Sequence, residues 1–112
     1  MALGLIAFAS PAQAVDRNCY SGEFCVYVDS NFSTSNVMYR FPGADGDWCT
    51  GQNAICDGDS SWRNYWSVPA TWYYWQGWVD VQGCLNPNYQ LSYDYWLNDE
   101  GRSHKWKGGS TC

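Results

Sequence analysis

Apolar and aromatic residues occur along this chain in short runs that turn-forming residues separate. The two early runs, residues 24–28 and 37–41, are rich in β-branched and aromatic side chains, and Ser, Asn, Gly and Asp cluster around them. Three later runs continue the pattern, at residues 72–75, 78–81 and 91–96. No stretch of a dozen residues shows apolar positions at the helical spacing of three and four. The pattern therefore predicts an all-β sandwich of short strands.

A weak internal repeat divides the chain into two similar copies. In the first copy four residues separate Tyr27 from Phe32, and in the second four residues separate Tyr73 from Trp78. Two aromatic residues at this spacing are typical of a folded β-hairpin, in which the rings pack on each other across the bend. The repeat thus predicts two related β motifs.

A second pair of segments sets the register of the repeat. Residues 56–63 follow the first hairpin, and residues 98–105 follow the second. A rival register for the second copy places its aromatic pair at Cys84 and Tyr89. We prefer Tyr73, because its distance from the segment near Ser103 matches the first copy better.

The first fourteen residues have the pattern of a secretory signal. An apolar run covers residues 2–9, Ser10 and Pro11 interrupt it, and Ala12-Gln13-Ala14 is an A-x-A cleavage site. No basic residue precedes Arg17, so the usual basic start of such a signal is missing. We expect a signal peptide over residues 1–14, a single domain over residues 15–112, and a secreted product.

All six cysteines follow the predicted signal, and an even number in a short exported chain indicates disulfides. Six cysteines allow fifteen connectivities. Closeness in sequence favours three pairs: Cys19 with Cys25, Cys49 with Cys56, and Cys84 with Cys112. Zinc is the competing interpretation, but the chain has no C-x-x-C pair and one His.

Charge and aromatic content narrow the range of partners. The net charge of −5 argues against nucleic acid and anionic membranes, and no further apolar run is long enough to cross a bilayer. Aromatic residues make up 19% of the chain, with 8 Trp and 9 Tyr, so we expect some of them to lie outside the core. We also expect a monomer.

The segments 19–27 and 29–32 resemble the opening of secreted bacterial proteins of peptidase inhibitor family 36. Residues 57–66, with their Ser-Ser-Trp-Arg-Asn run, are similar to the strand that ends a motif in that family. The resemblance implies a βγ-crystallin-like sandwich of two Greek-key motifs. It also implies a secreted peptidase inhibitor, because the family includes an inhibitor of metalloproteinases. One departure is that the hairpin glycine of crystallins is replaced by Thr34 and Asp80.

The loop between Cys49 and Cys56 is the candidate inhibitory element. A disulfide there would hold the loop rigid, and rigidity removes the ordering cost of binding to a peptidase. The candidate contact residues are Gln52, Asn53, Ala54 and Ile55. The alternative, which we favour, is that the disulfide is only a structural staple.

Five aromatic residues form the candidate binding surface: Trp72, Tyr73, Tyr74, Trp75 and Trp78. Neighbours in a strand face opposite sides, so Trp72 and Tyr74 would point one way and Tyr73 and Trp75 the other. One of these faces could stack against sugars of a polysaccharide or cell wall. A core that covers both faces is the alternative.

A weak calcium site is the third hypothesis. In βγ-crystallins such a site is built from two Asn/Asp-Asn/Asp-x-x-Ser/Thr-Ser stretches, which supply the oxygen ligands that Ca²⁺ prefers. The corresponding candidates are Asp57, Ser61, Asn98, Asp99 and Ser103. Cys56 and Arg102 depart from the motif, and Arg102 would put a positive charge where a ligand hydroxyl belongs. Turns capped by Asp and Ser are the alternative.

The sequence contains few residues that suggest catalysis. We predict that the protein is not an enzyme and that it has no cofactor other than calcium. His104 is the only His, and we expect it on the surface beside Lys105. No G-x-S-x-G or H-E-x-x-H motif is present. A secreted peptidase is therefore the first predicted partner, and a polysaccharide is the second.

Overall fold

The computed structural model describes residues 10–11, 19–34, 38–50, 55–109 and 111–112. These residues form eight β-strands and one short 3₁₀ turn, Ser30–Phe32, and none of them forms an α-helix. The strands are β1 Ser10–Pro11, β2 Phe24–Tyr27, β3 Met38–Phe41, β4 Ser61–Asn64, β5 Ala70–Trp75, β6 Val79–Leu85, β7 Tyr89–Leu91 and β8 Ser103–Trp106.

The strands make two antiparallel sheets, as the sequence pattern predicts. One sheet has five strands in the order β1-β7-β4-β2-β3, and the other has three in the order β6-β5-β8. In the first sheet Val26 of β2 pairs with both Tyr39 and Trp62. In the second sheet Trp72 of β5 pairs with both Gly83 and His104. The all-β prediction is confirmed.

Each half of the chain contributes a segment to the other half's sheet. Strand β7 lies in the second half, yet it pairs with β4 of the first half, with Trp62 opposite Leu91. In return Asp45, from the first half, forms a bridge to His104 of β8. This exchange ties the two halves into one Greek-key sandwich.

Aromatic side chains fill the space between the sheets. Trp62 of the five-stranded sheet stacks on Trp72 of the three-stranded sheet, with ring centroids 5.1 Å apart. Phe24 lies 5.8 Å from the same Trp72 ring. A Cβ added at Gly83 would lie 2.3 Å from the Trp72 ring, so the absence of a side chain at Gly83 makes this packing possible.

The structure corrects the prediction of a strand over residues 91–96. Strand β7 ends at Leu91, and the chain then turns. Asp94 organises the turn, because its carbonyl accepts hydrogen bonds from the N–H groups of Leu97 and Asn98. Its carboxylate accepts a third from the N–H of Trp96. Aspartate that bonds to nearby backbone in this way favours turns over strands.

The three expected disulfides are present: Cys19–Cys25, Cys49–Cys56 and Cys84–Cys112. Three disulfides fit an oxidising environment. The short strand β1 falls within the predicted signal segment, and cleavage after Ala14, which stays a prediction, would remove it from the edge of β7. Across the described residues there is no helix with the length and hydropathy to span a bilayer.

Candidate functional site

The folded hairpin of the first motif is closed by a single serine. The Ser61 hydroxyl donates a hydrogen bond to the Asp29 carbonyl over 2.7 Å and accepts one from the Phe32 N–H over 3.1 Å. The rings of Tyr27 and Phe32 lie 5.6 Å apart, edge to face, as the aromatic spacing predicts. Ser61 therefore fixes the bend at which the hairpin folds over.

Ser103 does the same in the second motif. Its hydroxyl donates to the Trp75 carbonyl over 2.6 Å and accepts from the Trp78 N–H over 3.2 Å. Trp78 thus occupies the place of the first motif's second aromatic, which agrees with the register we prefer. Asp80, at the crystallin glycine position, takes a positive φ of 61° without being glycine, whereas Thr34 does not take a positive φ.

Two acidic turns face each other between the motifs. Asp57 and Asp99 occupy matching positions, and both have a positive φ, of 55° and 61°. The Asp57 N–H donates to the Gly101 carbonyl, and the Asp99 N–H donates to the Asp59 carbonyl. This reciprocal pair of hydrogen bonds places carboxylates from both motifs at one edge of the sandwich.

Asp59 anchors the second of these turns through a hydrogen bond to its backbone. Asp59 was not identified as a site residue from the sequence. Its buried carboxylate accepts hydrogen bonds from the Gly101 N–H and the Trp62 indole N–H, each over 2.9 Å. Burial raises the pKa of Asp59 to about 6, although these hydrogen bonds lower it in part. An acid one residue after Gly58 and just before a strand looks like an ordinary turn residue, so the sequence carried no signal for it.

A groove with a volume of about 240 Å³ opens above this pair of turns. It is lined by two aromatic rings, three acids and one arginine. The lining residues are Tyr74, Trp75, Asp57, Asp99, Glu100 and Arg102. The groove is the candidate functional site, because it combines flat apolar surface with charged hydrogen-bonding groups.

Arg102 organises the groove. Its guanidinium donates two hydrogen bonds to the Asp57 carboxylate, over 3.0 and 2.8 Å, and lies 4.8 Å from the centre of the Trp75 ring. The Asp57 carboxylate raises the pKa of Arg102, which stays cationic. A guanidinium held in a fork on one side and by an aromatic face on the other has a fixed orientation. The groove is therefore pre-organised.

Of the predicted calcium residues, Asp57 and Asp99 line the groove. Asp57 is engaged by Arg102, whose positive charge would oppose a cation. The hydroxyls of Ser61 and Ser103 hold the hairpins together, as described above. Asn98 and Asp99 are bonded to each other through the amide of Asn98. Calcium binding stays a prediction, and a calcium titration of the melting temperature tests it.

The five aromatic candidates are divided between core and surface. Trp72 and Tyr73 are buried, Tyr74 is half-buried in the groove, and Trp75 and Trp78 are 49% and 42% exposed. A break in the strand register between Trp72 and Tyr73 accompanies this burial of two neighbours. Simple alternation of faces had predicted opposite sides for them.

The candidate inhibitory loop is only partly within the described residues. Gln52, Asn53 and Ala54 lie outside them. Ile55 is 3% exposed and belongs to the hydrophobic core, so its side chain is not presented to a partner. The Cys49–Cys56 disulfide closes the loop with Cα atoms 4.5 Å apart.

The expectation that His104 lies on the surface is wrong. It is fully buried, with its ring 4.3 Å from that of Phe41. The Trp48 indole N–H donates to Nδ1 over 2.8 Å, so Nε2 carries the proton and donates to the Gly43 carbonyl over 2.7 Å. Burial lowers the pKa of His104 to about 4. It is neutral and structural, and it occupies the position that Trp62 has in the first motif.

No family model and no curated protein sequence matches the chain. Among solved structures, a βγ-crystallin domain studied for the evolution of the eye-lens fold is similar, with a TM-score of 0.70 and 19% identity over 88% of this chain and 95% of that chain. A βγ-crystallin from an archaeon is similar at a TM-score of 0.61 and 18% identity, over 79% of this chain and all of that chain.

These likenesses show the fold of the chain, which is that of a βγ-crystallin domain. The predicted fold, a sandwich of two Greek-key motifs with disulfides, is confirmed. The comparisons do not extend to peptidase inhibitor family 36, and at this level of identity they do not give an activity.

Proposed function

We propose that this protein binds polysaccharide through the groove at Trp75. The observation that supports the proposal is a half-exposed indole ring, fixed by Arg102, beside the carboxylates of Asp99 and Glu100. Flat aromatic rings pack against the apolar face of a sugar, and charged groups at the rim hydrogen-bond its hydroxyls. Because Arg102 and Trp75 are already held in place, binding costs little conformational entropy of these side chains.

The test is a single substitution with a matched control. Trp75→Ala removes the stacking surface, and Trp106→Ala removes another indole of nearly equal exposure, 47% against 49%, outside the groove. We expect Trp75→Ala to weaken binding to an oligosaccharide about tenfold or more, as for the loss of a buried aromatic anchor. Trp106→Ala should leave the affinity unchanged.

Circular dichroism first shows that each variant is folded. Isothermal titration calorimetry with a panel of neutral and charged polysaccharides then measures both effects. A wild-type protein that binds no member of the panel would contradict the proposal. Equal affinities of wild type and Trp75→Ala would do so as well.

Inhibition of a secreted peptidase is the second candidate function. It is favoured by the resemblance of residues 19–32 to the inhibitor family and by the closed Cys49–Cys56 disulfide. The test is inhibition of metallo- and serine peptidases by the oxidised protein, with the Cys49→Ala/Cys56→Ala double variant as the comparison. Inhibition that the double variant loses would support a disulfide-held loop, and no inhibition at micromolar concentration would contradict this function.

A further inference from the structure

Two aromatic side chains are more exposed to solvent than any other large apolar residues in the described part of the chain. Tyr95 is 73% exposed and Trp96 is 78% exposed. Their rings meet edge to face, with centroids 5.3 Å apart. We call this pair the aromatic tip. Covering large apolar groups that are exposed to this extent gains hydrophobic free energy, which favours a partner that binds them.

The backbone that carries the aromatic tip is held in place. Asp94 accepts three hydrogen bonds from the turn that follows it, from the N–H groups of Trp96, Leu97 and Asn98. The Gln82 side-chain amide donates a fourth bond to the Leu97 carbonyl over 2.7 Å, which ties the turn to strand β6. The tip is thus presented on a turn with a defined shape, which lowers the ordering cost of binding.

The same turn leads directly into the groove. Asp99 and Glu100 line the groove, and Asp99 is anchored by its hydrogen bond to the Asp59 carbonyl. Two residues separate Trp96 from Asp99 along the chain, so their Cα atoms lie at most roughly 11 Å apart. The aromatic tip and the groove are therefore neighbours with a fixed connection between them.

We infer that the aromatic tip is a second sugar-stacking site, which engages the same polysaccharide chain beyond the units held in the groove. This inference rests on the proposed function of the groove. Asp94 precedes the tip in the sequence, Asp99 and Glu100 follow it, and the whole chain has a net charge of −5, so an anionic lipid surface is disfavoured. A polysaccharide suits two flat sites a short distance apart, because its repeating units present the same face again and again.

Two linked sites make affinity depend on the length of the ligand. A polysaccharide already held in the groove reaches the tip at a high effective concentration, which raises its overall affinity by a large factor. A monosaccharide in the groove is too short to contact the tip as well. The length dependence, and not the affinity alone, is what identifies the second site.

The test compares Trp96→Ala with wild type on a monosaccharide, a hexasaccharide and the full polymer that wild type binds best. We expect the affinity for the polymer and the hexasaccharide to fall about tenfold or more, with the affinity for the monosaccharide unchanged. Tyr20→Ala is the control. Tyr20 is also an exposed aromatic, but it lies beside Arg40 of β3, at the opposite edge of the five-stranded sheet from β7.

The outcomes separate this inference from the proposed function. If wild type binds no glycan, the proposed function fails and this inference fails with it. If Trp75→Ala loses binding while Trp96→Ala binds the polymer like wild type, only the second site is overturned. The third outcome is that Trp96→Ala loses binding to neutral lipid vesicles but keeps its affinity for the polymer. That result would assign the tip to a lipid surface and would overturn the inference as well.

Discussion

At the scale of single residues, two buried titratable groups have pKa values shifted in opposite directions. Burial raises the pKa of Asp59 from 3.8 to about 6 and lowers that of His104 from 6.5 to about 4. Both shifts favour the neutral form of the buried group over its charged form. In the pH range between 4 and 6 the two groups therefore affect the free energy of unfolding with opposite signs.

The signs follow from proton linkage. Folded Asp59 keeps its proton where the unfolded chain has lost it, so this residue destabilises the fold as the pH rises from 3.8 to about 6. Folded His104 stays neutral where the unfolded chain is protonated, so its contribution rises between about pH 4 and 6.5 and is lost on acidification. Each effect is on the order of 3 kcal/mol.

We predict that replacing one of these residues removes its own contribution to the pH dependence of the unfolding free energy and leaves that of the other. His104→Gln keeps an acceptor for Trp48 and a donor for Gly43, but it cannot titrate. Its stability should fall, relative to wild type, by on the order of 3 kcal/mol as the pH rises from 4 to 6.5. Asp59→Asn should show the opposite trend. Urea unfolding at half-unit pH steps measures both, and profiles parallel to wild type would refute the assignment.

At the scale of the elements, the close approach of two strands depends on a glycine. Strands β5 and β6 pair with Trp72 opposite Gly83, and the Trp72 ring lies across the space where a side chain would be. The same ring stacks on Trp62 of the other sheet. A side chain at this position would therefore disturb both the hairpin and the contact between the sheets.

We predict that Gly83→Ala destabilises the protein by about 1–3 kcal/mol, because a methyl group 2.3 Å from the Trp72 ring forces the ring to move. Gly108→Ala is the matched control, since nothing lies within 4 Å of its added Cβ. Its stability should stay within about 0.5 kcal/mol of wild type. Thermal unfolding compares the two, and an equal effect of both substitutions would show that the ring is not tightly confined.

At the scale of the whole molecule, exchanged segments join the two halves, and disulfides of different loop length constrain the chain within each half. The Cys19–Cys25 and Cys49–Cys56 bonds close loops within one half, with separations of 6 and 7 residues. The Cys84–Cys112 bond spans 28 residues and includes β7 and β8, which belong to different sheets. It therefore constrains much more of the unfolded chain.

We predict that Cys84→Ala/Cys112→Ala costs about 4 kcal/mol of unfolding free energy, and that Cys19→Ala/Cys25→Ala costs about 2 kcal/mol, from the entropy of loop closure. Guanidinium unfolding of both double variants tests the order. A smaller loss for the Cys84 pair would indicate that residual structure in the unfolded chain, and not loop length, governs the effect.

The strand class and the repeat could be predicted from the sequence, and closeness in sequence favoured, among fifteen connectivities, the cysteine pairing that the structure has. Short runs of aromatic and β-branched residues between turn-forming residues favour pleated, half-buried strands, so local pattern is sufficient for the all-β prediction. The four-residue spacing between Tyr73 and Trp78 indicated the second hairpin. The turn at Asp94 was missed, because Tyr93, Tyr95 and Trp96 also have high strand propensity and the competing side-chain hydrogen bond is visible only in the folded chain.

Contacts between distant segments determine which polar and aromatic residues are buried and which meet in the groove. His104 looks like a surface residue in the sequence, but the exchanged segment at Asp45 and the indole of Trp48 enclose it. Trp72 and Trp75 have the same local character, and one is core while the other is exposed. Asp57 and Arg102 are distant in sequence and come together because the motifs pack face to face. Burial and proximity are properties of packing between distant segments, which no local pattern contains.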